Sequence, residues 1–555
     1  MMRYLVICFS FISIVGCSKN PTAPAPPAPP VAGPFNEKLV SINGLTGTSM
    51  IYNVPVNTVA KFSFTSPVNR STVNNSLRFT ESGGTVVNYS VSYENSDSTV
   101  VVQPSTPLKH LNKYSLNIAA GLQSAAGRSL TNAIAVSFAT SIDSTSKFPV
   151  VADNALLNLV QQQTFKYFWD FGHPVSGLAR ERSNGDNNVV TSGGSGFGLM
   201  AIITAVERNF ITRAQGLARV KTMVEFLRTK AEKFHGAFPH WLHGETGVVI
   251  PFSQKDNGAD LVETSYLVQG LLCARQYFSL ADATEAKLRT DINEICNGVE
   301  WDWFRKNDEN VLYWHWSPTF NWDMNLPIRG WNECLITYVL AASSTSHPVP
   351  PVVYTGWTGN GGFKNGALYY GYALPLGPPY GGPLFFSHYS FLGINPTGLT
   401  DPHANYATQT KNHTLINYSY CTTNPNNYFG YSDHCWGLTA SDIPNGYTAS
   451  SPTNDVGVIA PTAALSSFPY TPAESMKALK FFYYTLGDKI WKDYGFVDAF
   501  ALKDLWYADS FLAIDQGPII VMIENYRSGL LWNLFTSCPE VKTGMRSLGF
   551  TAPYL

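Results

Sequence analysis

Charge is scarce in this sequence. Only 14% of its 555 residues are Asp, Glu, Lys or Arg, and 37 basic against 39 acidic side chains leave a formal net charge of −2. No basic footprint exists for a phosphate backbone, which excludes nucleic acid as a partner. Cysteine is also rare: the eight present show no zinc-site spacing. The glycine-rich run Gly193–Gly198 has no lysine after it and, on its pattern, no strand before it, so a phosphate-binding loop is excluded. No cofactor and no metal is expected.

What is abundant is apolar and aromatic. Hydrophobic residues make up 45% and aromatics 14%, with 13 Trp and 29 Tyr. That composition supports a large core and suits a carbohydrate or peptide cleft. The length predicts two or three domains.

The first residues read as an address. Arg3 precedes the apolar stretch Tyr4–Gly16, too short to span a bilayer as a mature helix. The stretch closes on Ile14-Val15-Gly16-Cys17, which resembles a bacterial lipobox. Residues 1–16 are then a signal peptide and Cys17 carries lipid, which places the protein in the cell envelope, anchored to a membrane. The Pro-rich run Asn20–Pro34 makes residues 17–35 a tether. Of the remaining cysteines, Cys421 and Cys435 are the expected disulfide pair.

Residues 36–143 have a period of two, as in Lys61-Phe62-Ser63-Phe64 and Tyr114-Ser115-Leu116-Asn117-Ile118. Frequent turn residues make this an all-β sandwich resembling bacterial Ig-like domains. From 144 to 555 the period is helical. Predicted helices are Asn154–Phe171, Gly196–Phe210, Thr212–Phe234, Asp260–Phe278, Ala281–Phe304 and Trp331–Ser344, then Asp401–Tyr418, Ile459–Phe468, Pro472–Trp491 and Ile514–Arg527. Some are almost wholly apolar and others amphipathic, which suggests two concentric rings: an (α/α)6 toroid, making the protein mainly α. His347–Pro383 is too long for a simple connection and reads as a functional wall.

Four constellations carry chemistry. Asp256, Asp260 and Glu263 form an acidic cluster; Asp260 and Glu263 also match a helix capping box. Arg329-Gly330-Trp331-Asn332-Glu333 sets a carboxylate before an almost uncharged helix, so Glu333 is either paired, with Arg329 the candidate, or functional. Tyr431–Asp442 offers Trp436 as a stacking face and Thr439 and Asp442 as hydroxyl partners, with Asp455 following. Ile514-Asp515-Gln516-Gly517-Pro518 aims Gln516 from a helix end. Carboxylates among Trp, Tyr and Asn suit glycosidic-bond hydrolysis, in which one group protonates the leaving oxygen and another activates water. The single histidines at His240 and His388 read as structural more readily than catalytic.

Taken in order, several strings resemble the glucoamylase-like domain of glycoside hydrolase family 144, the bacterial β-1,2-glucanases. They are Ser176-Gly177-Leu178 with Arg182, Gly196-Phe197-Gly198, Asp260–Ser265, Gly330–Glu333, Trp436–Asp442, Ala460–Ala464 and Ile514–Pro518, spread over residues 153–550. The resemblance implies an (α/α)6 fold, anomeric inversion and no metal. It implies Glu333 as one catalytic partner and Asp260 or Glu263 as the other, with Asp256 positioning. Substrate contacts are expected from Trp331, Asn332, Arg329, Arg182, His388, Trp436, Thr439, Asp442, Asp455, Asp515 and Gln516. The partner would be a β-glucan and the protein a monomer. Relatives with a front β-domain look exo-acting, releasing sophorose; others are endo-acting. The rival readings are a polysaccharide lyase and a non-catalytic glycan-binding lipoprotein.

Overall fold

The computed structural model describes residues 33–47, 50–359 and 361–555. Cys17, the signal peptide and most of the tether lie outside the described residues. The chain folds as two compact units. One is built from the front strands; the other runs from Phe138 to Leu555 and takes in Tyr52–Val56 and Leu108–Lys113.

Eight strands form the front: β1 (Glu37–Ile42), β2 (Ile51–Val54), β3 (Ala60–Phe64), β4 (Leu77–Glu81), β5 (Tyr89–Glu94), β6 (Thr99–Pro104), β7 (Lys113–Ile118) and β8 (Ile134–Thr140). They make two four-stranded sheets, ordered β1-β3-β6-β5 and β2-β8-β7-β4. Alternation drives the burial. In β3, Ala60, Phe62 and Phe64 point inward while Lys61 and Ser63 do not. Phe62 pairs with Val100, and Phe79 with Leu116, which fixes register by the apolar faces.

In the large unit, enclosed helices differ sharply from half-exposed ones. Ser192–Glu207 is buried from Ser192 through Val206, and Ala513–Ser528 from Ala513 to Asn525 except Ile514. Arg213–Thr229 buries only one face: Gly216, Val220, Met223, Val224, Phe226 and Leu227. Glycine allows the enclosed helices to touch. A Cβ on Gly196 would lie 2.1 Å from the Tyr266 carbonyl oxygen, and one on Gly270 2.2 Å from that of Gly196. Ser192–Glu207 and Leu261–Tyr277 therefore cross backbone to backbone.

Several expectations need correction. A three-residue strand, Val189–Thr191, does precede the glycine run, and the run itself starts the buried helix at Ser192. Pro472–Trp491 is not one helix: Pro472–Lys480 widens into a π turn at Phe481–Thr485, and a short helix restarts at Gly487. A Cβ at Gly487 would meet Phe148 at 2.4 Å, so only glycine lets the restarted helix pack against that ring. Trp331–Ser344 begins only at Leu335. The wall His347–Pro383 contains a short helix, Val352–Thr358. Leu530–Thr536 and Pro539–Ser547 are further helices that the pattern missed. The six described cysteines, Cys421 and Cys435 included, are free thiols.

Candidate active site

The first carboxylate group forms at the start of helix Leu261–Tyr277. Asp260 is fully enclosed and caps that helix: its Oδ1 accepts from the backbone N–H groups of Val262 (3.0 Å) and Glu263 (2.9 Å). Its Oδ2 faces His240 Nδ1 at 3.2 Å and His315 Nδ1 at 3.7 Å. His315 arrives because the short strand His315–Trp316 pairs with Ala259–Asp260. Asp256, also buried, lies 3.4 Å from His315 Nδ1.

Glu263 does not close the expected capping box. Its side chain turns to the neighbouring helix, where Oε2 accepts from Gly193 N–H (2.9 Å) and Thr191 Oγ1 (3.4 Å). The start of helix Ser192–Glu207 is a stronger attractor for a carboxylate than one backbone N–H of its own helix. A Cβ on Gly193 would lie 2.3 Å from that oxygen, so only glycine lets Glu263 in. Glu263 Oε1 lies 4.0 Å from His240 Nε2.

These charges tune one another. Burial alone would push His240 down, but Glu263, Asp260 and Asp256 outweigh it and raise its pKa to about 9. Burial pushes Asp260 up; His315, His240 and the Glu263 N–H overcome that and hold it below the usual carboxylate range. Glu263 moves up, through burial and the nearby Asp260 charge, against the pull of His240. Donor atoms of His240, Asp256 and Asp260 lie within 4.8 Å of one another and could ligate one divalent cation. There a cation would compete with the proton that His240 holds up to about pH 9.

Glu333 completes this end of the site. Its backbone is clamped: Ser390 Oγ donates to the Glu333 carbonyl and accepts from Ile336 N–H, and Asn332 Oδ1 accepts from Cys334 N–H. Burial, and then the charges of Glu263 and Asp260, raise Glu333 to about 7.

A second carboxylate group went unseen in the sequence as a group. Asp442 pairs with Arg182 (3.2 Å), which also holds Glu181 (3.0 Å), and Asp442 Oδ2 accepts from Ser510 Oγ at 2.5 Å. Asp442 N–H donates to Asp498 Oδ2 at 2.7 Å. Asp498 and Asp515 are both buried and joined side chain to side chain. Among the described residues Asp498 Oδ1 and Asp515 Oδ2 have no hydrogen-bond partner, and two acids buried beside each other favour a proton on one of them. Burial raises Asp498 to about 7 and Asp515 well above its ordinary value. Tyr389 connects the two groups: it feels Asp515 from one, and Glu263 and Glu333 from the other.

Several expected substrate contacts are turned inward. Trp436 is fully buried, its Nε1 donating to the Glu474 carbonyl. Trp331 is buried and stacked on Trp357 at 5.8 Å. His388 is buried, bonded to Ser467 Oγ and pushed down to about 3 by burial and by His413. All three are core residues, because indole and neutral imidazole gain more from apolar packing than from water. Thr439 Oγ1 accepts from Phe385 N–H, and Asp455 accepts from Tyr431, Tyr420 and the Gly457 N–H. Asn332 accepts from Cys334 N–H in the turn before the helix, and Arg329 is exposed. Gln516 donates to the Phe496 carbonyl, leaving its buried Oε1 without a protein partner. Missed by the sequence reading were Glu181, His315, Asp498 and the charged role of His240. Only Glu181, beside Arg182, carried a local signal.

Comparison with known proteins fits this geometry. A bacterial Ig-like domain profile matches residues 38–140, and a profile described as "Putative glucoamylase" matches 325–539. The endo-β-1,2-glucanase of Chitinophaga pinensis, solved with sophorotriose and glucose, is 53% identical with a TM-score of 0.71, over 73% of this chain and 100% of that one. The β-1,2-glucanase structure from Parabacteroides distasonis is 36% identical with a TM-score of 0.71, over 94% of this chain and 74% of that one. A curated relative from the same organism, an exo β-1,2-glucooligosaccharide sophorohydrolase (non-reducing end), is 44% identical over 427 residues, 73% of this chain. The chain spans 59% of that relative's length. The large unit is thus of the glucoamylase-like class, behind an Ig-like domain. The chain belongs to the glucoamylase-like family typed as glycoside hydrolase family 144, which includes these β-1,2-glucanases.

Proposed function

We propose that the protein hydrolyses β-1,2-glucan with inversion, Glu333 acting as the general acid. One observation carries this reading: neighbouring carboxyls are driven apart in acidity, Glu333 up to about 7 and Asp260 down. A carboxyl that keeps its proton near neutrality can give it to a leaving oxygen. Of the partners expected for it, Glu263 is favoured over Asp260, since Asp260 is fully enclosed and spent on its cap, whereas Glu263 is partly accessible. The cation of His240 pulls against the burial that raises Glu263 and so favours its ionised form. Asp256 and Asp260 hold the histidines. A second reading puts the base in the Asp442–Asp515 group, because Asp515 Oδ2 has no hydrogen-bond partner among the described residues.

Around this centre, the alternation of enclosed and half-exposed helices supports an (α/α)6 toroid. The lipobox supports tethering through lipidated Cys17 on the cell envelope, with the enzyme acting on glucan outside the cytoplasm.

The test is product analysis on linear β-1,2-glucan, with Glu333→Gln, Glu263→Gln and Asp515→Asn beside wild type. Sophorose alone from the first minutes means exo action; a ladder of oligosaccharides means endo action. No product from wild type would remove the substrate assignment, and a fully active Glu333→Gln would remove the acid. Azide rescue of one of the other two variants identifies the base.

A further inference from the structure

With Trp331 and Trp436 in the core, neither offers a flat apolar face to a pyranose ring. Among the described residues, five aromatic side chains are left exposed: Phe252, Trp303, Tyr370, Tyr447 and Tyr526. Two of these adjoin the carboxylates, one at each group.

Phe252 is 49% exposed. Its ring lies on His240 at 4.2 Å between centroids and 22° between planes, with Trp241 against its edge at 4.9 Å. Its backbone N–H donates to the Asp256 carbonyl at 2.9 Å. The residue is therefore fixed to the first group twice, with one face on the charged imidazole and the other open. Tyr447 is 46% exposed. It sits directly opposite Asp442 in the hairpin Ala440–Ile443/Gly446–Ala449, so the two side chains share a face. It feels the charges of Asp515, Asp498, Asp442 and Glu181. Folding gains little by leaving such rings in water, and each is held beside carboxylates able to accept sugar hydroxyls.

We propose that Phe252 and Tyr447 are two sugar-stacking platforms that bind separate glucosyl residues of one chain, one platform at each carboxylate group. This rests on the hydrolase reading above and deepens it. The occupant is a β-linked glucan, because each ring adjoins the acids that would cleave it.

The test uses the full-length protein with Phe252→Ala, Tyr447→Ala, and the ring-preserving Phe252→Tyr and Tyr447→Phe. Steady-state kinetics are measured on β-1,2-gluco-oligosaccharides of increasing length, alongside calorimetric binding of β-1,2-, β-1,3- and β-1,4-linked oligosaccharides. Each alanine variant is expected to raise KM about tenfold with kcat nearly kept. The loss should appear only beyond the chain length that reaches that platform, and the ring-preserving variants should recover it. Unchanged KM and affinity at every length would overturn the platforms while leaving the hydrolase intact. So would a Phe252→Ala variant that shifts the pH profile at constant KM, since that would make Phe252 a support for His240. Binding or turnover of another β-glucan, weakened by the same variants, would keep the platforms and remove the β-1,2 assignment. A wild type that binds none of the three series would overturn both.

Discussion

The two carboxylate groups solve one problem in opposite ways. At Asp256, Asp260 and Glu263 the buried negative charge is met by histidines, and Asp260 stays ionised. At Asp442, Asp498 and Asp515 one arginine serves Asp442 and Glu181, and the inner pair keeps a proton instead. Residue type alone therefore does not set acidity; what matters is whether a cation reaches the pocket before a proton does. Glu333 lies within reach of the first group, but burial and the charges of Glu263 and Asp260 raise it, and so it behaves like the second.

The contrast can be broken most severely at Glu333. Glu333→Gln should lower kcat by about 10³-fold with folding intact, read by reducing-sugar release and circular dichroism. Wild-type activity would mean its raised acidity has no use. Next is Gly193→Ala: the added methyl lands on Glu263 Oε2 and should cost about 10²-fold in kcat by displacing that carboxylate. If the variant matches wild type, the Glu263–Gly193 bond does not position the group.

A smaller effect comes from pH. Glu333 must hold its proton, so kcat/KM should fall tenfold per unit above about pH 7. A plateau to pH 9 would contradict this. Stability should also decline with pH, from the ordinary carboxylate range up to about 7 for Asp498. Asp498 is raised to about 7, so its contribution is complete below the ordinary carboxylate value and is lost as pH rises through 7; His240, raised to about 9, loses its contribution later. Asp498→Asn should shrink the drop in Tm between pH 5 and 8 by about 2–4 °C. An unaltered drop would show that the pair shares no proton. Smallest is a control on capping. Asp282 accepts from Thr284 and Glu285 N–H groups in a cap like that of Asp260, far from any histidine partner in its bonding. Asp282→Asn should be nearly neutral and Asp282→Ala should cost about 1 kcal/mol. Asp260→Asn should reduce activity severely; equal behaviour of the two asparagine variants would reduce Asp260 to a cap.

What the sequence disclosed follows from the range of each signal. Helix period and cap chemistry act over a few residues, so the enclosed helix after Gly196 and the cap at Asp260 were legible, although the helix starts four residues earlier, at Ser192. Glu333 stood out because it opens an apolar helix. The partners of Asp260 did not, since His240 and His315 reach it from 20 residues before and 55 residues after in the chain. Asp498 lay in a stretch with no motif, and its role exists only beside Asp515. The aromatic assignments failed for a symmetric reason: Trp331 and Trp436 beside acids read alike whether they face a cleft or a core. The π turn at Phe481–Thr485 was hidden because the N–H that bonds its Tyr484 carbonyl, from Lys147, comes from far upstream.

The glycine crossing of Ser192–Glu207 with Leu261–Tyr277 has an evolutionary consequence. Almost any side chain gained at Gly193, Gly196 or Gly270 collides with a neighbour's backbone or with Glu263, so the floor under the acids has very few neutral variants. The loop of Phe252 and the hairpin of Tyr447 carry no such restriction. A lineage built on this scaffold would diversify at its rims while its floor stayed still, and a designer seeking new glycan preferences should mutate the same two places.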